Sequence, residues 1–329
     1  MLLSGQDDGA IERAAQALAA GELVAFPTET VYGLGARADD DRAVAAIFAR
    51  KGRPADHPLI VHVLDRADAQ AFSSGLGDAA GRLIDAFWPG PLTIIVPRAP
   101  GMAEAAATGQ NSIGLRCPAH PVARALLAAA RRLGVPGVAA PSANRFGRIS
   151  PTRAQHVVDE FSESGADLLV LDGGDCEVGI ESTIVDCTAR VPALLRPGQI
   201  ARQRIEAVLG QPLAARDADS PRASGTLEAH YAPRAKLRLM PGAMLNTALQ
   251  MLGDSTLKLV VYSRTVPLPS GSRLTRRAMP DAPDQAAHEL FATLRELDGQ
   301  GVDLIWVEEP PADAAWDGVR DRLARAAAA

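Results

Sequence analysis

Short apolar runs and alanine- or leucine-rich helical stretches take turns along the first two hundred residues, and that alternation admits one class of fold. Residues 11–20 read as a helix that Gly21 stops, and residues 23–27 as a strand. Thr28 to Gly35, T-E-T-V-Y-G-L-G, reads as a loop around two glycines. Asp39 to Asp41 are placed to cap a helix over 43–49, and 59–64 is the next strand. The helix at 79–87 runs into W-P-G-P, which no helix continues through. Strands at 92–97 and 113–116 precede a helix at 121–133, whose first residue, Pro121, suits a first turn. Strands at 138–140, 168–171 and 183–187 complete the set. Interleaved elements of this kind bury their apolar faces as an α/β fold, here a twisted, mostly open sheet with helices packed against it.

Residues 206–235 change character: small, polar, Pro and Gly residues dominate, a linker composition. Beyond them, strands at 237–240, 257–262 and 304–307 alternate with helices at 245–252, 285–297 and 318–327. The expected organisation is a larger α/β domain over 1–205, a linker over 206–235 and a smaller α/β domain over 236–329.

Charge argues against a dedicated nucleic-acid binder. The net charge is −5; residues 1–205 carry 20 Lys and Arg against 23 Asp and Glu. No apolar run approaches the roughly 20 residues of a membrane span, and the N-terminus M-L-L-S-G-Q-D-D lacks the pattern of a signal peptide. Three cysteines without C-x-x-C spacing suit a reducing, cytoplasmic setting and give no zinc signature. Lysine occurs only at 51, 236 and 258 in an arginine-rich chain, so a compact ammonium is wanted at one of them.

K-G-R at 51–53 is the first candidate for chemistry. In an extended segment Lys51 and Arg53 would point the same way, two cations suited to a polyphosphate. P-S-A-N at 141–144 follows an apolar strand and offers Ser142 and Asn144 to phosphate, ribose or base. Thr30 and Tyr32 could supply hydroxyls to a small polar ligand. The glycine-rich run 172–186 leads into Ser182 and Thr183, and L-R-P-G at 195–198 offers Arg196. No nucleophile elbow, HExxH or Walker motif is present, and the acidic spacing fits no metal loop. Residues alone therefore give an α/β nucleotide or anion binder.

The ordered set of motifs resembles the YrdC family in its long two-domain form. It comprises F-P-T-E-T-V-Y-G-L at 26–34, K-G-R-P-A-D-H-P-L-I-V-H at 51–62, W-P-G-P-L-T at 88–93 and S-I-G-L-R-C-P at 112–118. A-P-S-A-N at 140–144, E-S-T-I-V-D at 181–186, L-R-P-G at 195–198 and S-G-T-L-E-A-H-Y-A-P at 224–233 follow. The resemblance implies a YrdC-like sheet domain joined by a linker to a smaller Rossmann-like α/β domain. It also implies synthesis of L-threonylcarbamoyl-adenylate from L-threonine, bicarbonate or CO2, and ATP, for later transfer to tRNA by downstream threonylcarbamoyl-transfer proteins. By the same resemblance, Lys51 and Arg53 are catalytic and bind ATP with His57, Ser112, Ser142, Asn144, Thr152, Arg196, His230 and Tyr231. Thr30, His62, Arg116 and Ser182 hold threonine. Mg2+ is expected to arrive with ATP, with no metal ligands assigned in the chain.

Two departures stand out. His57 occupies a position where the family often has asparagine, and the linker starts A-S-G-T-L-E instead of S-P-G-M-K, removing a lysine. Residues 224–233 are expected to fold over the cleft as a lid that shields a labile adenylate. The main rival is an RNA-binding module without catalysis, resting on Arg131, Arg132, Arg145, Arg148 and Arg153 and allowing a weak RNA contact. A hydrogenase-maturation carbamoyltransferase is the other; it would carry acylphosphatase and zinc-finger modules that this chain lacks.

Overall fold

The computed structural model describes residues 1–162, 168–252 and 257–329. The chain divides into two units, one formed by Met1–Phe146 and Ser150–Thr226, the other by Gly147–Ile149 and Leu227–Ala329.

The first unit opens with β1 (Leu2–Ser4), α1 (Asp8–Ala19), β2 (Val24–Phe26), β3 (Gly33–Arg37), α2 (Asp41–Lys51) and β4 (Ile60–His62). It continues with α3 (Arg66–Phe72), α4 (Gly77–Phe87), β5 (Leu92–Pro97), α5 (Glu104–Ala107), β6 (Ser112–Arg116), α6 (Pro121–Arg132) and β7 (Val138–Ala139). It closes with α7 (Ala154–Phe161), β8 (Leu169–Asp172), β9 (Thr183–Asp186), β10 (Ala193–Arg196) and α8 (Arg202–Leu209). Among the described residues its strands form one mixed ten-stranded sheet in the order β1-β8-β2-β3-β7-β4-β6-β5-β9-β10.

Local chemistry explains the helix limits. Asp40 caps α2, accepting from the amides of Arg42 and Ala43, as expected of that acidic run. His120 caps α6 by accepting from Val122, with Pro121 in the first turn. The stretch 33–35, expected in a loop, is instead part of β3. A Cβ on Gly35 would lie 2.7 Å from both Phe26 and Val138, so only glycine lets the neighbouring side chains close over this strand.

Alternation along the central strands separates two jobs. Val61, Ile94, Leu115 and Val185 point into the large core with α2 and α4. Their neighbours Ile60, His62, Thr93, Ile95, Ser112, Gly114, Arg116 and Ile184 face the other way, in register across β4, β6, β5 and β9. Burying the first set at about 25 cal/mol per Å2 holds the sheet; the second set is left to shape a surface.

The second unit contains β11 (Lys236–Met240), α9 (Gly242–Leu252), β12 (Leu259–Ser263), β13 (Thr275–Ala278), α10 (Pro283–Gly299), β14 (Leu304–Glu308) and α11 (Asp317–Ala327). Its four strands are all parallel, in the order β11-β14-β12-β13. This is the smaller α/β domain expected from the alternation, with the parallel, Rossmann-like sheet that the resemblance implies. Leu245, Leu249, Val261 and Val266 form a cluster on one face of its sheet.

The stretch of linker composition is shared between the units. Arg222 bonds within the first unit to Gln110 and to the Thr108 carbonyl. In the second unit the His230 amide donates to the Arg325 carbonyl at 3.2 Å, and the Arg325 side chain donates to the Leu227 carbonyl.

Candidate active site

The K-G-R run is not extended. Lys51 is the last residue of α2, and Gly52 sits at the C-cap with φ +62°, its amide and that of Arg53 turning back to the Ala49 and Phe48 carbonyls. That turn, rather than strand alternation, brings the two cations into one neighbourhood. Both are buried. Lys51 Nζ donates to the carbonyls of Ser142 (2.6 Å) and Asn144. Arg53 donates through Nε to the His57 carbonyl (3.3 Å) and through Nη2 to that of Pro58 (3.1 Å). Burial, then the nearby Arg53 charge, push the Lys51 ammonium well below the ordinary lysine range. Each cation thus grips the carbonyls of one loop and fixes where that loop stands.

P-S-A-N forms a tight turn after β7, with the Asn144 amide donating to the Ser142 carbonyl at 3.0 Å. The half-buried Ser142 bridges to Gly33, and the buried Asn144 donates from Nδ2 to the Arg145 carbonyl. His57 stacks at a tilt against Phe146, 5.3 Å between centroids, with Arg53 over the same ring at 5.7 Å. Burial and then Arg53 hold the His57 imidazole below its usual range. Thr152 is buried, and its hydroxyl has no hydrogen-bond partner among the described residues.

A second group gathers on the outward face of the central strands. His62 and Arg116 are direct partners in the parallel β4–β6 register. Ser182 and Thr93 share a hydroxyl–hydroxyl bond of 2.8 Å. Arg196 donates to the Ser182 hydroxyl (3.1 Å) and carbonyl (2.9 Å) and, through Nη1, to the Ser224 carbonyl (2.9 Å). Ser112 starts β6 on the same face. The Thr30 hydroxyl pairs with that of Thr28 at 2.9 Å. His62 is buried edge-on to Phe26. Desolvation, then the charge of Arg116, lower its pKa to about 3, so it works as a neutral imidazole.

On the outward face lies a small cavity of about 10 Å3, walled by Ile60, Thr93, Ile95, Gly114 and Ile184 and by the strap Arg222, Ala223 and Ser224. His230 and Tyr231 belong to the second unit. Tyr231 is fully buried there, 5.1 Å from the Phe291 ring, with Arg322 over it at 5.8 Å. Tyr32 does not offer its hydroxyl to a ligand; it donates to the Gly174 carbonyl at 2.8 Å and accepts from the Gly173 amide. Of the arginines read as an RNA patch, Arg131, Arg132, Arg148 and Arg153 each sit in an ion pair with a carboxylate.

Sequence reasoning passed over two side chains. Thr93, inside a continuous apolar strand, gave no signal beyond its alternation with Ile95. Glu29 lies between two threonines and forms a buried ion pair with Arg116, Oε1 to Nη2 2.7 Å.

A family model described as "Telomere recombination" (Sua5, YciO, YrdC) matches residues 16–198, and one described as "Threonylcarbamoyl-AMP synthase, C-terminal domain" matches residues 200–328. The threonylcarbamoyl-AMP synthase of Pyrococcus abyssi is 36% identical over 314 residues, spanning 93% of this chain and 90% of the relative. That of Bacillus subtilis is 36% identical over 338 residues, 98% of this chain and 94% of the relative. A crystal structure of P. abyssi Sua5 complexed with L-threonine superposes with a TM-score of 0.87 at 34% identity, covering 98% of this chain and 95% of that one.

Proposed function

The chain belongs to the Sua5/YciO/YrdC family in its two-domain form, and we propose the following account of how its residues serve the family reaction. The protein is an ATP-using nucleotidyltransferase that makes L-threonylcarbamoyl-adenylate for tRNA modification. The amine of L-threonine adds to CO2 with loss of a proton, or to the carbon of bicarbonate with loss of water, and gives a carbamate. A carbamate oxygen then attacks the α-phosphorus of ATP, and the bond to pyrophosphate breaks. The nucleophile comes from the substrate, so the protein's task is alignment and charge neutralisation.

The observation that carries the assignment is the sheet register, which sets His62 beside Arg116 on the face that also bears Thr93 and Ser182. On this face Arg116 takes the threonine carboxylate, the geometry a guanidinium fork suits. His62, neutral, together with Thr30 and Ser182, receives the rest of the amino acid. The triphosphate lies toward Lys51, Arg53 and Arg196. Ser112, Ser142, Asn144 and His57 line its nucleoside side, and the orphan hydroxyl of Thr152 gains a partner there. The assignment of His230 and Tyr231 to ATP rests on their place in the S-G-T-L-E-A-H-Y-A-P stretch. The place of Arg222–Ser224 in the cavity wall supports reading the start of this segment as the inner edge of a lid that keeps water from the mixed anhydride.

Mg2+ supplies charge neutralisation on the triphosphate when it accompanies ATP. Its ligands would be phosphate oxygens and water, the usual set for nucleotide-bound Mg2+. Downstream threonylcarbamoyl-transfer proteins take the product. No helix among the described residues is long and apolar enough to cross a membrane.

The test is pyrophosphate release with each substrate omitted in turn. Release that requires ATP, L-threonine and bicarbonate together supports the account; release that persists without threonine rejects it.

A further inference from the structure

The Glu29–Arg116 pair is an odd one. Both side chains are buried, yet the 2.7 Å contact is not an aligned hydrogen bond: among the described residues neither Glu29 Oε1 nor Arg116 Nη2 has a hydrogen-bond partner, and Arg116 Nε has none either. The other carboxylate oxygen is occupied, Oε2 accepting from the Ala119 amide at 3.1 Å. A buried ion pair contributes little net stability even when well made, and unmade hydrogen bonds on buried groups cost free energy. Packing does not account for keeping these charges here.

The loop that bears Glu29 is firmly held. The Thr28 hydroxyl donates to the Val31 carbonyl at 2.6 Å and accepts from the Thr30 and Val31 amides. The Glu29 carbonyl accepts from the Val178 amide at 2.7 Å. The carboxylate is therefore a fixed post against which the guanidinium rests. His62, neutral at working pH, adds no charge. Arg116 and Glu29 cancel, which leaves a neutral subsite that accepts a zwitterionic amino acid without burying a net charge.

We propose that Glu29 is a positioning residue for threonine: it holds the Arg116 guanidinium in the plane and place from which Arg116 receives the α-carboxylate. This rests on the reading that Arg116 binds that carboxylate. Glu29 acts through Arg116 and not on the reacting atoms, so its removal falls on threonine recognition and leaves ATP recognition alone.

The full chain is assayed for pyrophosphate release with L-threonine and with L-threoninamide, which lacks the carboxylate charge. Glu29→Gln keeps the size and an acceptor for Ala119 while removing the charge. It is expected to raise the threonine KM by about tenfold or more, the scale seen when the outer partner of a metal-binding side chain is lost. The KM for ATP stays unchanged, and the preference for threonine over threoninamide shrinks by the same factor as the threonine KM rises. Glu29→Asp, which keeps the charge on a shorter stem, recovers part of the loss; it also carries the test if the glutamine variant does not fold. An unchanged or lowered threonine KM overturns the proposal, as does an equal rise in both KM values, the mark of general damage. Arg116→Gln separates the layers. If it leaves the threonine-over-threoninamide preference intact, the reading of Arg116 fails. If it abolishes the preference while Glu29→Gln does not, only the role of Glu29 fails.

Discussion

Glu29 in the first unit and Glu308 in the second are both buried, and the two are treated in opposite ways. Glu308, at the end of β14, accepts from the amides of Arg264 and Thr265 at 2.7 Å each, from that of Val266 at 3.4 Å, and from the Thr265 hydroxyl. Burial pushes its carboxyl up, but the Thr265 hydroxyl and these amides outweigh that and hold it below the usual range. Its donors are the loop that leaves β12, so the side chain ties two neighbouring strands together. Glu29 is as deeply buried but keeps an ion pair without aligned hydrogen bonds. A satisfied carboxylate stabilises a fold; an unsatisfied one beside an arginine prepares a site. Glu29 thus serves a site in the first unit, and Glu308 serves structure in the second.

The largest expected break in that contrast comes from the cations of the first unit. Lys51→Ala and Arg53→Ala are each expected to cut pyrophosphate release by about a hundredfold or more, the usual cost of removing a charge partner of the transition state. Wild-type release in either variant, with an unchanged melting curve, removes that cation from the chemistry.

In the second unit the effect moves from rate to stability. Glu308→Ala strands the donors of the β12 loop and is expected to cost roughly 2 kcal/mol, read by chemical denaturation. The sign of the pH effect follows from the depressed carboxyl. The stabilisation is complete above the ordinary glutamate pKa of about 4.3 and is lost as the pH falls through the lower folded value. Wild-type protein is therefore expected to lose more stability on acidification than Glu308→Gln. Equal acid sensitivity in the two would show that Glu308 is not the tie described.

A smaller effect is expected at the cavity floor. A Cβ on Gly114 would meet Thr93 at 3.4 Å and Ile60 at 3.5 Å, ordinary contact distances. Gly114→Ala should therefore fold normally, narrow the cavity and lower pyrophosphate release by roughly tenfold, a loss of positioning. Full activity would show that the cavity lies outside the substrate path.

Much of the framework was legible because it depends on local rules. Asp40 and Pro121 mark helix starts, W-P-G-P ends α4, and the apolar run 92–97 is β5 residue for residue. Where sequence reasoning failed, long-range contacts had the deciding vote. Gly33 and Gly35 read as loop residues because the residues that close over them from the other side, Ala140 and Val138, are distant in sequence. Tyr32 read as a ligand hydroxyl, but Gly173 and Gly174 claim it from across the fold. Lys51 and Arg53 were brought together on the premise of an extended segment, whereas a helix C-cap does the work. Glu29 carried no local signal at all: its meaning lies in Arg116, on another strand.

The most direct measurement is a crystal structure of the full chain with L-threonine and a non-hydrolysable ATP analogue. The account predicts the threonine carboxylate at hydrogen-bonding distance from Arg116, about 2.7–2.9 Å, with Glu29 behind the guanidinium and the triphosphate toward Lys51 and Arg53. Threonine bound away from the His62–Arg116 face, or a carboxylate held by other residues while Arg116 stays on Glu29 alone, would contradict it.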